Sequence, residues 1–78
     1  MQIEIRKTAT FSSWMAGFRD QSTRARIAAR IDRLAFGLSG DVEPVGEAVS
    51  ELRIHLGPGY RVYFVRRGLT LLILIMRR

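Results

Sequence analysis

Four side chains within residues 51–67, ELRIHLGPGYRVYFVRR, have the types and spacing to handle a phosphodiester: Arg53, His55, Arg61 and Tyr63. Leu52, Ile54 and Leu56 alternate with Glu51, Arg53 and His55. After Gly57-Pro58-Gly59, Val62 and Phe64 alternate with Arg61, Tyr63 and Val65. Period-2 alternation sends the two sets to opposite faces of a sheet. A three-residue loop at 57–59 predicts Leu56 opposite Tyr60, His55 opposite Arg61, Ile54 opposite Val62 and Arg53 opposite Tyr63. A one-residue slip would bring Arg53 beside Phe64 and mix the faces, so the pattern selects its own register. One face of the expected hairpin is apolar. The other carries two guanidiniums suited to bidentate phosphate contacts, an imidazole suited to proton transfer and a phenol that can stack on a base or donate a proton.

The remaining elements must position that hairpin. Gln2–Arg6 reads as a first strand with Ile3 and Ile5 on one side, and Thr8 can cap a following helix. Phe11, Trp14, Met15 and Phe18 fall at i, i+3, i+4 and i+7, an apolar stripe expected to enter the core. Gly17 and Arg19-Asp20 end that helix. Asp20 or Ser22 can cap a second helix reaching Phe36. Its apolar side is Ile27, Ile31, Leu34 and Leu38, and its other side carries Arg24, Arg26, Arg30 and Arg33. Gly37 and Gly40 terminate it, and the short polar link predicts an antiparallel helical hairpin.

Residues 39–50, SGDVEPVGEAVS, read as a solvated loop held to the core by Val42 and Val45. Its acids Asp41, Glu43 and Glu47 lack the spacing of a calcium loop, so no metal or other cofactor is expected. An Arg67-Gly68 turn predicts Phe64 opposite Leu71 and Val62 opposite Ile73 in a last strand that is apolar on both sides. The expected fold is α+β in the order β-α-α-β-β-β. An antiparallel sheet has the helical hairpin on one face and a concave basic surface on the other.

The chain of 78 residues is sized for one domain, with 47% apolar and 26% charged residues. Such a chain buries roughly 60–65% of its unfolded surface. A core of that size seldom gives more than about 3–5 kcal/mol, which favours a stabilising partner. The absence of cysteine excludes a disulfide scaffold and fits a reducing compartment. No signal-peptide pattern is visible, and the longest apolar run, Leu69–Met76, is far short of the ~20 residues of a spanning helix. A cytoplasmic protein without membrane association is therefore expected. Thirteen Lys and Arg, all but Lys7 arginine, against seven acids give a net charge of +6, which points to a polyanionic partner.

The segments IEIRKTATF, RARIAARIDRLAFG, GDVEPVGEAVSELRI and GPGYRVYF together resemble the RelE/ParE toxin superfamily. Within it they resemble the HigB-like addiction module killer proteins, a group that includes related phage proteins. The resemblance covers nearly the whole chain and implies the RelE-like order of elements found above. It also implies the toxin half of a type II toxin–antitoxin module, neutralised by a cognate antitoxin. Many such toxins act as endoribonucleases that enter the ribosome and cleave mRNA, inhibiting translation. The ParE branch poisons DNA gyrase. On this resemblance Arg61, in GYRVYF, and Arg53, in ELR, clamp the phosphate, while His55 and Tyr63 serve proton transfer or stacking. Lys7, Arg6, Arg24, Arg26, Arg30 and Arg33 contact ribosomal RNA.

Members of the group usually continue past the last strand into a further segment and a terminal helix, where this sequence ends at Ile75-Met76-Arg77-Arg78. Leu72, Leu74 and Met76 are therefore expected to need cover, for instance from a second copy paired through strand 69–76. A truncated, non-catalytic toxin-like binding module is the alternative that this ending suggests.

Overall fold

The computed structural model describes residues 3–38 and 40–78. In chain order the elements are β1 (Glu4–Lys7), α1 (Ala9–Ala16), α2 (Gln21–Ala35), β2 (Val42–Gly46), β3 (Val49–Ile54), β4 (Tyr60–Arg67) and β5 (Thr70–Arg77). Gln2 of the expected first strand and Ser39 of the expected loop lie outside the described residues. The strands form one sheet in the order β1-β5-β4-β3-β2. β1 runs parallel to β5, and the other neighbours are antiparallel. The α+β class holds, but the sheet is mixed rather than antiparallel. The long path from β1 through both helices and three strands leaves the chain free to lay β5 alongside β1 in the same direction.

Local chemistry sets the helix ends. The Thr8 hydroxyl oxygen accepts the Phe11 N–H at 3.1 Å and donates its own proton to the Leu74 carbonyl, tying the start of α1 to β5. Asp20 caps α2, accepting from the Ser22 N–H at 3.0 Å and the Thr23 hydroxyl at 2.8 Å. These bonds to the charged form hold its carboxyl below the usual range, the Thr23 hydroxyl contributing most. α2 stops at Ala35, one turn earlier than a stripe through Leu38 requires, so Leu38 is 57% exposed instead of buried. Phe11, Ile27, Ile31 and Leu34 from the helices pack with Leu52, Ile54, Val62, Phe64, Leu71, Ile73 and Met76 from the sheet in one core. Among the described residues no helix is long and apolar enough to cross a membrane.

Three expectations about the sheet need correction. First, much of the stretch read as a loop is an edge strand, with Val42 opposite Leu52 and Glu43 opposite Glu51. Pro44 is tolerated there because an outer strand has one unpaired side. The connection to β3 turns through Glu47 and Ala48 at φ 51° and 66°. That conformation normally calls for Asn or Gly, so the sequence carries little signal for it. Val42 packs against the core, whereas Val45 is exposed.

Second, the β3–β4 connection spans residues 55–59, so Ile54 faces Tyr60, Arg53 faces Arg61, Leu52 faces Val62 and Glu51 faces Tyr63. The longer loop is closed by the Leu56 N–H to the Ile54 carbonyl and the Gly59 N–H to the Leu56 carbonyl. Relative to the expected pairing, each partner moves by two positions, which preserves the face of every side chain.

Third, the β4–β5 turn is Gly68-Leu69, with Gly68 at φ 55° in the first turn position. Phe64 therefore faces Ile73, not Leu71. A bulge between Tyr63 and Phe64 then reverses the alternation along β5, so Val62 faces Met76. Met76 is buried at 1% exposure, and Ile75 turns outward in its place. β5 lies between β1 and β4, so both its backbone edges are occupied. β1 pairs with Thr70–Ile73, so along those residues the expected strand pairing with a second copy is blocked.

Candidate phosphate-binding face

The face of β3 and β4 turned away from the helices carries Glu51 opposite Tyr63 and Arg53 opposite Arg61. At the end of this ladder lies a cavity of about 330 Å³, lined by Arg53, His55 and Arg61 with Ile54, Pro58, Gly59, Tyr60 and Arg78. A second cavity, about 320 Å³, shares Arg53, Ile54 and His55 and adds Leu56 and the α2 arginines Arg26 and Arg30. Thus the β3–β4 hairpin and α2 jointly surround a basic surface. Gly40, next to the Arg30 guanidinium, is at φ 68°, the left-handed region that favours glycine.

The groups differ in how they are held. Arg53 bonds through Nε to Glu51 Oε1 at 2.9 Å and through Nη2 to Glu43, with Asp41 at 3.9 Å from Nη1. Glu51 is the buried acid of the face, 6% exposed, and its second oxygen accepts the Tyr63 hydroxyl at 2.8 Å. The Tyr63 bond first, and the Arg53 bond second, keep the Glu51 carboxyl below its ordinary range despite burial. In turn the Glu51 bond, with Glu43 nearby, raises Arg53 above the usual guanidinium value. His55 Nε2 lies 2.7 Å from Asp41 Oδ2.

Arg53, His55 and Tyr63 are therefore all engaged by carboxylates, so the two expected clamps, Arg53 and Arg61, differ in their partners. For Arg53 and His55 the cause is β2, whose pairing carries Asp41 and Glu43 up to β3, while Tyr63 is held by Glu51 of β3 itself. Arg61 is exposed and, among the described residues, makes no ion pair. The pairs to Asp41 and Glu43 are solvent-accessible, and exposed pairs contribute only about 0–1 kcal/mol. The buried Glu51, by contrast, fixes the direction of Arg53.

The other expected contacts divide. Arg26 and Arg30 join the site. Arg24 and Arg33 line neither cavity, and Arg33 sits in the last turn of α2, where positive charge suits the helix end. Arg6 pairs with Glu4 at 2.9 Å on β1, with Lys7 beside it, and β5 and β4 separate that strand from β3. They do not share the cavities. Sequence reasoning missed Glu51, Tyr60 and Arg78. Glu51 was legible in principle as the acid two positions from Arg53, while nothing local in the sequence brings Arg78 to Arg61.

No protein-family model matches the chain. A Haemophilus influenzae Rd protein, described as an uncharacterized protein, is 44% identical over 75 residues, covering 96% of this chain and 76% of that protein.

Proposed function

We propose that this chain, which belongs to the family of that Haemophilus influenzae protein, is the toxin of a type II toxin–antitoxin module, a ribosome-dependent mRNA endonuclease of RelE-like fold; the support is the resemblance of its segments to such toxins and the geometry of its basic face, not the relative, which is described only as uncharacterized. One observation carries the reading: Arg53 and Arg61 stand directly opposite one another and share a cavity with His55 and Arg78. Cleavage within such a site proceeds by attack of a ribose 2′-oxygen on the adjacent phosphorus. The bond to the 5′-oxygen breaks, leaving a cyclic phosphate and a free 5′-hydroxyl. The step requires removal of the 2′-proton, protonation of the leaving oxygen, and positive charge against the phosphorane.

Arg61 is the open guanidinium for that charge, and Arg53 is held in orientation by Glu51. His55 borders the same cavity and is suited to one of the proton transfers. Tyr63, bonded to Glu51, steadies the network and is less free to act as an acid. The partners of this reading are mRNA in the ribosome and a cognate antitoxin, in the cytoplasm. The test is induction of the chain followed by mapping of mRNA 5′ ends. Translation-dependent cleavage lost in a folded Arg61→Ala variant supports the reading. Intact transcripts at normal translation rates reject it.

A second reading, a non-catalytic toxin-like binding module, is favoured by one feature: carboxylates occupy Arg53, His55 and Tyr63. It predicts stable binding to an antitoxin without growth arrest. Arrest on induction of the chain alone counts against it.

A further inference from the structure

We infer that the cavity beside the end of α1 is a nucleobase subsite attached to the arginine-lined cavity, an inference that rests on the RNA-directed reading above. This cavity, about 250 Å³, is lined by Trp14, Phe18, Arg19 and Arg78 together with Gly17. Trp14 and Phe18 are only partly buried, so part of each ring remains accessible. Their rings meet edge-on at 4.6 Å, and Phe18 and Trp14 lie 5.4 Å and 6.0 Å from the Tyr60 ring. Tyr60 is buried and forms part of the wall of the arginine cavity. Arg78 lines both cavities.

An aromatic recess thus adjoins a cationic one, with Tyr60 and Arg78 at the junction. That is the chemistry of a nucleotide: a flat base beside an anionic phosphate. Aromatic side chains bind unpaired bases of any identity because each base offers a π face. The packed triad fixes the rings in advance, so stacking orders few additional groups. The ligand is a single-stranded RNA whose base next to the phosphate held by Arg61 enters between Trp14 and Arg78. A duplex would withhold that base.

Trp14 is the single tryptophan, so the tryptophan emission arises from a residue that lines this recess. The experiment titrates the chain with an uncleavable 2′-O-methyl hexanucleotide, an abasic oligomer of equal charge, and a poly-glutamate peptide. The base-bearing oligomer should quench Trp14, shield it from acrylamide, and bind roughly 10- to 100-fold more tightly than the abasic one. Phe18→Leu should remove most of that preference, the base-bearing oligomer losing more affinity than the abasic one. Equal affinity for the two oligomers with Trp14 emission unmoved overturns the subsite. If Arg61→Ala still weakens that binding, the phosphodiester reading survives. Failure of the unaltered chain to bind either oligomer overturns the subsite, while the endonuclease reading is judged separately by translation-dependent mRNA ends. Equal quenching by poly-glutamate overturns the subsite in favour of an acidic protein partner. Acrylamide shielding needs no substitution, so a Phe18 variant that fails to fold does not remove the test.

Discussion

At the scale of single residues, Arg61 and Arg53 share a face but do different work. Arg61 is exposed and without an ion pair among the described residues, so Arg61→Ala should leave thermal unfolding within about ±0.5 kcal/mol of the parent. It should nevertheless reduce RNA cleavage about 10²–10³-fold, as for loss of one positioned transition-state donor. Arg53→Ala should affect both properties, because it strips the buried Glu51 of its cation. Leaving a buried acceptor underpaired costs about 1–3 kcal/mol, visible in denaturant unfolding. Equal stability of the two variants would contradict the division.

Glu51 also sets a pH dependence. Its carboxyl is depressed, so its contribution is complete above the ordinary carboxylate range and disappears as pH falls through its folded-state value. Tyr63→Phe removes the largest cause of that depression. The variant should be less stable than the parent near neutrality, and the gap should narrow as pH falls below the ordinary carboxylate range. A constant gap across an acid titration by circular dichroism would show that the Tyr63 bond does not depend on the ionised acid.

At the scale of elements, β2 is the strand that the sequence conceals. Its turn places Glu47 and Ala48 at positive φ, where side chains with a Cβ are strained. The double substitution Glu47→Asn with Ala48→Gly should relieve that strain, because it installs the residue types that such a turn favours. A gain of about 1 kcal/mol corresponds to roughly 4–8 °C in Tm for a domain of this size. No gain, or a loss, would mean that the turn is not built this way. The same contrast explains what was legible. Apolar spacing marked the core positions of α2 through Leu34, and Thr8 and Asp20 marked the helix starts, because those signals are local. The pairing of Arg53 with Arg61 differs from expectation by two positions, since loop length depends on backbone bonds at Leu56 and Gly59 that residue type does not encode. Even so, the two arginines share a face, because a shift of two preserves alternation. The exchange of Met76 for Ile75 was not legible, as a bulge within two apolar strands has no compositional mark.

At the scale of the whole molecule, a net charge of +6 is concentrated in part around one end of the sheet, where Arg26, Arg30, Arg53, Arg61 and Arg78 border connected cavities. Binding of single-stranded RNA there should weaken steeply with salt, each phosphate contact adding about −0.7 to the slope of log K against log salt. Arg61→Ala should make the slope shallower by about that amount, whereas Arg6→Ala, across the sheet, should leave it unchanged. Asp41 and Glu43, just before and within β2, belong to this scale as well, because they partly neutralise the basic end. The proposed toxin activity would require Arg61 to meet a scissile phosphate, and the decisive comparison is the map of mRNA 5′ ends after induction of the chain and of Arg61→Ala at equal levels. New translation-dependent ends are expected with the former, and their loss with a folded variant; identical maps from the two would contradict a phosphate-clamping role for Arg61.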